Sequence, residues 1–227
     1  MNILHGSLLV ILIRAIVVLT TLPIHEFAHG YVAYRLGDPT AKYQGRLTLN
    51  PLAHLDFFGT IMIMLTGFGF AKPVPVNPLN FKNRKRDMAI VACAGPAANI
   101  LLALAAVAIY KILVIVQLMF ANSPYIYQVF NTFNSIIYQI AYVSVGLAVF
   151  NLIPVPPLDG SRIALAFLDE RTYFKIMQYE QYIVLGLFLL LFTGILDIPL
   201  DFLSDLVFRL INFITYPLDM LFKLIWF

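Results

Sequence analysis

The run from Ile3 to Tyr34 is almost wholly apolar, yet near its end it carries His25-Glu26-Phe27-Ala28-His29. From about Ser7 to Tyr34 it is long enough to cross a hydrocarbon layer of ~30 Å with residues to spare. A backbone in that medium must satisfy its own polar groups, so the run is expected to be helical. Residues i and i+4 share one helix face, which points His25 and His29 the same way about one turn apart. Two imidazoles at that spacing can hold one zinc ion, and Glu26, about a quarter-turn away, can reach a metal-bound water without being a ligand. The plainer alternative is two packed histidines that happen to flank an acid. Ionisable groups inside a membrane helix are expensive and mark function by default, so the setting favours the metal.

The remaining composition agrees. Of 227 residues, 61% are hydrophobic and 12% charged, against about a quarter charged in a soluble domain, which makes this an integral membrane protein. The net charge of +3 is modest and its basic residues cluster in loops, which speaks for membrane topology and against nucleic acid. Cys93 is the single cysteine, so no intramolecular disulfide forms; within an apolar helix it is expected to be small and buried. Met1 to Gly6 lacks a basic n-region, so no cleavable signal peptide is expected. One membrane-embedded domain over 1–227 is the expectation.

Along the chain, Pro23 inside the first run frees a carbonyl and either aims the motif or is an incidental kink. Gly37 to Asp56 is polar and turn-rich, and its His54 is either a further site residue or a plain loop histidine. Phe57 to Phe70 is apolar but broken by Gly59, Gly67 and Gly69, which suits a re-entrant segment better than a span. Ala71 to Pro78 (AKPVPVNP) is punctuated by prolines that forbid a helix and suit an edge strand. A basic cluster, Lys82 and Arg84 to Arg86, precedes a span over Asp87 to Phe120 that contains Gly95-Pro96-Ala97-Ala98-Asn99. Small residues there let another element approach closely, and Lys111 is that helix's one internal charge. The next span, about Phe133 to Ile153, runs into Asn151-Leu-Ile-Pro-Val-Pro-Pro-Leu-Asp159-Gly160, where three prolines should end the helix and an extended stretch deliver Asp159 at membrane depth. After the charged stretch Ser161 to Gln181 come two apolar runs, about Tyr182 to Leu196 and Leu200 to Phe227, separated by a short turn at 197–201.

Loops 35–46, 72–86 and 162–175 are basic, whereas 121–134 and 197–201 have no Lys or Arg. The positive-inside rule puts the first three in the cytoplasm and the other two outside. Parity then requires that 57–70 not cross. The expected fold is an all-α polytopic membrane protein with about five transmembrane helices plus a re-entrant segment carrying short β-strands, N-terminus outside. The HExxH motif and Asp159 both fall toward the cytoplasmic ends of their spans.

A catalytic zinc takes three protein ligands and keeps an open position. His25 and His29 supply two; Asp159 fits the third, with Cys93 weaker because a His and carboxylate site needs no thiolate. Glu26 would take the water proton and pass it to a leaving amine, in metal-assisted amide hydrolysis. Asn151 or Asn99 could help bind the developing oxyanion, or simply bond between helices. A peptide within a bilayer must unwind to be cut, and the edge near 70–78, with Val74, Pro75 and Val76 at its middle, could receive it as an added strand.

HEFAH in a first span, GPAAN in a second and NLIPVPPLDG in a third, with AKPVPVNP and the Asn50 to Gly59 pattern, resemble the site-2 protease family of intramembrane zinc metalloproteases. The likeness covers about residues 20–165 and is nearest the compact bacterial members without PDZ or CBS domains. It implies His25, His29 and Asp159 as zinc ligands, Glu26 as general base and Asn151 near the scissile bond. It also implies a catalytic core over about 7–165, accessory C-terminal helices over 181–227, and a multi-pass cell-membrane location with the site toward the cytoplasm. The family's usual substrate is a single-span membrane protein already trimmed by another protease, often an anti-sigma factor. A metal transporter would string ionisable residues along a path and have no use for Glu26, and this chain gathers them at one depth. A catalytically silent scaffold would not need the full residue set that is present here.

Overall fold

The computed structural model describes residues 8–56, 59, 71–120 and 122–226. Three long helices carry the site's surroundings: α1 (Leu8–Arg35), α3 (Arg84–Met119) and α4 (Pro124–Asn151), with a one-turn α2 (Thr40–Tyr43) after the first. Short helices α5 (Asp159–Leu165) and α6 (Glu170–Met177) lead to α7 (Glu180–Thr193), α8 (Asp197–Ile214) and α9 (Tyr216–Trp226). Among the described residues, α3 and α4 are long and apolar enough to cross a membrane, by length and composition.

α3 starts earlier than hydropathy suggests because its N-terminus is capped in both directions. The Asn83 side chain accepts from the Arg86 N–H at 3.1 Å while the Asn83 N–H donates to Asp87 Oδ2 at 3.1 Å. The basic cluster Arg84 to Arg86 is thus the first turn of the helix. α3 packs along both α1 and α4, and its Ala103 and Ala106, with Ala141 on α4, are buried small residues that let the backbones close in. Ile13 and Val17 of α1, Val107 of α3, Val145 and Val149 of α4 and Ile211 of α8 complete one core. Lys111 is not left alone in this apolar setting: its Nζ pairs with Asp219 Oδ2 at 2.7 Å, tying α9 to α3.

The segment 71–77 has no helical turns, ends in a 3-10 turn at Pro78–Asn80, and is pinned at several points. Lys72 N–H donates to the His54 carbonyl at 2.9 Å, Arg46 donates to the Lys72 carbonyl at 2.6 Å, and Leu55 and Ala71 form an antiparallel bridge. At its far end the fully buried Asp38, just past α1, accepts from Asn77 N–H at 2.7 Å and Asn80 Nδ2 at 2.6 Å, and also from the Thr40 N–H and hydroxyl. Burial alone would raise the Asp38 carboxyl, but these bonds outweigh it and hold it below the usual carboxylate range.

Several expectations need adjustment. The expected short β-strands are represented, among the described residues, by the single Leu55–Ala71 bridge. The expected re-entrant segment 57–70 lies outside the described residues apart from Gly59. The approach to Asp159 is not extended but a chain of tight turns, with Val155 N–H on the Ile153 carbonyl and Leu158 N–H on the Val155 carbonyl. The last apolar run is not one helix. α8 closes at Thr215, and Pro217 cannot continue it, since its ring would meet the carbonyl four residues back. The break before α8 sits at Gly194, in the left-handed region at φ 71°, while the expected turn 197–201 is the first turn of α8 itself. Cys93 is exposed, not buried, because it lies on the side of α3 turned away from α1.

A candidate metal centre

His25 and His29 do share a face of α1, and that face meets α3. His29 Nδ1 stands 2.7 Å from the Val91 carbonyl, which can only accept, so Nδ1 carries a proton and Nε2 is the ring atom left to ligate. Behind His25 lies Asn99, fully buried, with its amide 3.1 Å from His25 Nδ1. The two Nε2 atoms face each other at 3.0 Å.

Asp159 arrives from the α4–α5 turn. Gly160 makes this possible, since a Cβ there would lie 2.2 Å from the Leu152 carbonyl oxygen. Asp159 Oδ2 is 3.1 Å from His25 Nε2 and 3.2 Å from His29 Nε2, buried, and without a hydrogen bond in good geometry to either. The three side chains thus offer two imidazole nitrogens and a carboxylate oxygen to one point, a set that can hold a metal ion. Tetrahedral zinc ligands at 2.0–2.2 Å stand roughly 3.3–3.6 Å apart, so this triangle needs to open by only a few tenths of an ångström. Gly95 keeps the space beside it clear. A Cβ on Gly95 would fall 2.4 Å from His29 Nε2 and 2.6 Å from His25 Nε2. The residues fit zinc.

A cavity of about 410 Å³ opens on this triangle, lined among others by Glu26, Leu147, Asn151, Val74 and Arg162. Glu26 stays outside the triangle, and its Oε2 accepts from the Val74 N–H at 2.8 Å, which ties the acid to the extended segment. Pro73, Val74 and Val76 line the cavity, whereas Pro75 does not. Asn151 reaches the cavity wall but donates to the Leu147 carbonyl of its own helix at 2.9 Å. Asn99 sits on the far side of the His25 ring from the triangle, which removes it from the oxyanion role. Two other candidates are elsewhere: His54 is fully buried in its loop with Nε2 2.7 Å from the Thr48 carbonyl, and neither it nor Cys93 joins the cluster. Sequence reasoning missed Arg162 in the cavity wall; its i+3 spacing from Asp159 was the available signal.

Comparison with known proteins supplies the family. The model for peptidase family M50 matches residues 13–193. YwhC of Bacillus subtilis (strain 168), named as a zinc metalloprotease, is 44% identical over 171 residues, 74% of this chain and 74% of its own length. Proteins named as zinc metalloprotease Rip2 are 30% identical over 184 residues in Mycolicibacterium smegmatis and 25% identical over 189 residues in Mycobacterium tuberculosis (strain H37Rv). Each of these alignments covers 79% of this chain and 66% of the relative. No solved structure matches the chain. On the family match and the relatives together, the chain belongs to peptidase family M50, the site-2 protease family, and is a zinc metallopeptidase.

Proposed function

We propose that the protein hydrolyses peptide bonds within or near the transmembrane segments of membrane proteins, with His25, His29 and Asp159 as zinc ligands and Glu26 as general base. The observation that carries this is the buried His25–His29–Asp159 triangle, opening on a cavity among apolar helices with Glu26 beside it. Bound there, zinc supplies Lewis-acid polarisation of the scissile carbonyl and acidifies the attacking water. Glu26 accepts a proton from that water as its oxygen attacks the carbonyl carbon, and returns it to the nitrogen as the C–N bond breaks. With Oε2 on the Val74 N–H, its other carboxylate oxygen is the one turned to this work. Val74 and Val76 line the cavity, and with the Val74 N–H held by Glu26 it is the Val74 carbonyl and the Val76 backbone that would pair with an unwound substrate, while Pro75 between them has no N–H to offer. Asn151, in the cavity wall, stands near the scissile bond once its amide turns from Leu147.

In this reading the 1–227 chain is one membrane domain, with a catalytic core over about 7–165 and accessory helices over 181–227. It crosses the cell membrane about five times and carries its site toward the cytoplasm. Single cysteines introduced as Asn83→Cys and Asn122→Cys, each in a Cys93→Ala background, are expected to react with an impermeant reagent from opposite sides. Labelling of both from one side means that α3 does not cross and overturns the five-span topology.

The function itself is tested by reconstituting the protein in liposomes with a single-span substrate and mapping products by mass. Cuts within or at the border of the span are expected. Cleavage of soluble peptides alone, with every span left intact, overturns the intramembrane reading and leaves the peptidase.

A further inference from the structure

His25 and His29 are not held alike. The ring of His29 is fixed by a group that can only accept, the Val91 carbonyl, so its Nδ1 bears a proton and its Nε2 is the atom turned to Asp159. His25 must present the same nitrogen to the same point, since its Nε2 is 3.0 Å from His29 Nε2 and 3.1 Å from Asp159 Oδ2. Its Nδ1 then bears a proton that needs an acceptor. Among the described residues, the polar group bonded to that atom is the Asn99 amide, 3.1 Å away and wholly buried. In the structure the amide nitrogen faces Nδ1 while the amide oxygen is buried without a partner. The two ends of an amide are nearly alike in shape, and the proton it meets decides which end is turned to it. A half-turn of the amide about its last bond gives Nδ1–H an oxygen to donate to.

Resting on the ligand assignment proposed above, we propose that Asn99 is a positioning residue for the metal: its Oδ1 accepts from His25 Nδ1–H and so commits His25 to the tautomer that ligates through Nε2. Ligating histidines generally hold their second nitrogen on a carboxylate or carbonyl, and removing that partner costs 10- to 100-fold in metal affinity. The placement on α3 supports the role. Asn99 and Gly95 are i and i+4, so one face of α3 clears room beside the Nε2 atoms with a glycine and one turn later grips the back of His25. Thr21, one turn before His25 on α1, makes no hydrogen bond to it, so among the described residues no α1 side chain is bonded to Nδ1.

The test is metal affinity of the full-length protein in detergent, by competition for Zn²⁺ and by the visible spectrum of the Co²⁺ form. His25→Ala is measured alongside Asn99→Ala and Asn99→Asp. His25→Ala should lose the metal; if it does not, the ligand assignment itself fails, independently of Asn99. Asn99→Ala should weaken Zn²⁺ about 10- to 100-fold and alter the Co²⁺ spectrum. Asn99→Asp, which can only accept, should bind within a few-fold of the wild type. A merely structural role predicts the reverse, because a buried carboxylate disturbs packing more than alanine. Wild-type affinity in Asn99→Ala overturns the proposal, and so does equal loss in both variants. If Asn99→Ala does not fold, Asn99→Asp decides alone: a metal-loaded protein supports the proposal and a metal-free one overturns it.

Discussion

Glu26→Gln is expected to lower peptide-bond hydrolysis by about 10²- to 10⁴-fold while leaving zinc content near the wild-type level, about one ion per chain. The argument is one of placement. Glu26 lies on the cavity wall but outside the triangle of His25, His29 and Asp159, so its charge is not part of the ligand set. Glutamine keeps an oxygen that can accept from the Val74 N–H, now made to Glu26 Oε2 at 2.8 Å, so the extended segment stays where it is. What glutamine cannot do is take a proton from water. Glu26→Ala removes both the base and the tether, and should add a rise in KM to the loss of kcat. Metal analysis and a cleavage assay on the same preparations decide this. Hydrolysis at the wild-type rate in Glu26→Gln removes Glu26 as base, and loss of zinc in that variant places Glu26 among the ligands.

The part of this centre that could be read in advance is local. His25 and His29 share a face because of helical geometry alone, and Asp159 was singled out because a proline-broken helix end carried one acid to the same depth. What escaped the sequence is held across long separations. The bond from Val74 to Glu26 spans 48 residues and that from Asn99 to His25 spans 74, and neither leaves a trace in periodicity. The choice between Asn99 and Asn151 was open for that reason: both are asparagines on apolar helices, and only packing shows that one faces the back of a ring and the other a cavity.

Burial and helix ends failed for a different reason. In water an apolar helix face is a buried one, but in lipid it is as often the outside, so the surroundings of Cys93 in the sequence say nothing of its exposure. Hydropathy also measures the preferred medium and not the path of the backbone. The run from Leu200 onward is mostly apolar, and it still breaks at Thr215, where Pro217 ends one helix and opens the next. Lys111 looked like an isolated charge because its partner, Asp219, lies 108 residues on.

Gly95→Ala should abolish zinc binding and activity together, with affinity falling at least ~100-fold, although the helix that carries it is improved. Alanine exceeds glycine in helix propensity by about 1 kcal/mol, so α3 is not weakened by the change. The added Cβ, however, would lie 2.4 Å from His29 Nε2 and 2.6 Å from both Nε2 and Cε1 of His25. Neither ring is free to swing away. His29 is held at its other nitrogen by the Val91 carbonyl, on the same helix as Gly95, and His25 by Asn99. Moving α3 outward instead would open its contacts with α1 around Val17, Ala103 and Val107. Either response spoils the triangle. Gly146→Ala is the matched control, since a Cβ there meets nothing within 4 Å, and it should bind zinc as the wild type does. Thermal unfolding of both variants in detergent, beside zinc titration, separates a blocked site from a damaged fold. Wild-type zinc affinity in Gly95→Ala would mean that the metal does not sit between these two rings, and the ligand assignment would have to be rebuilt.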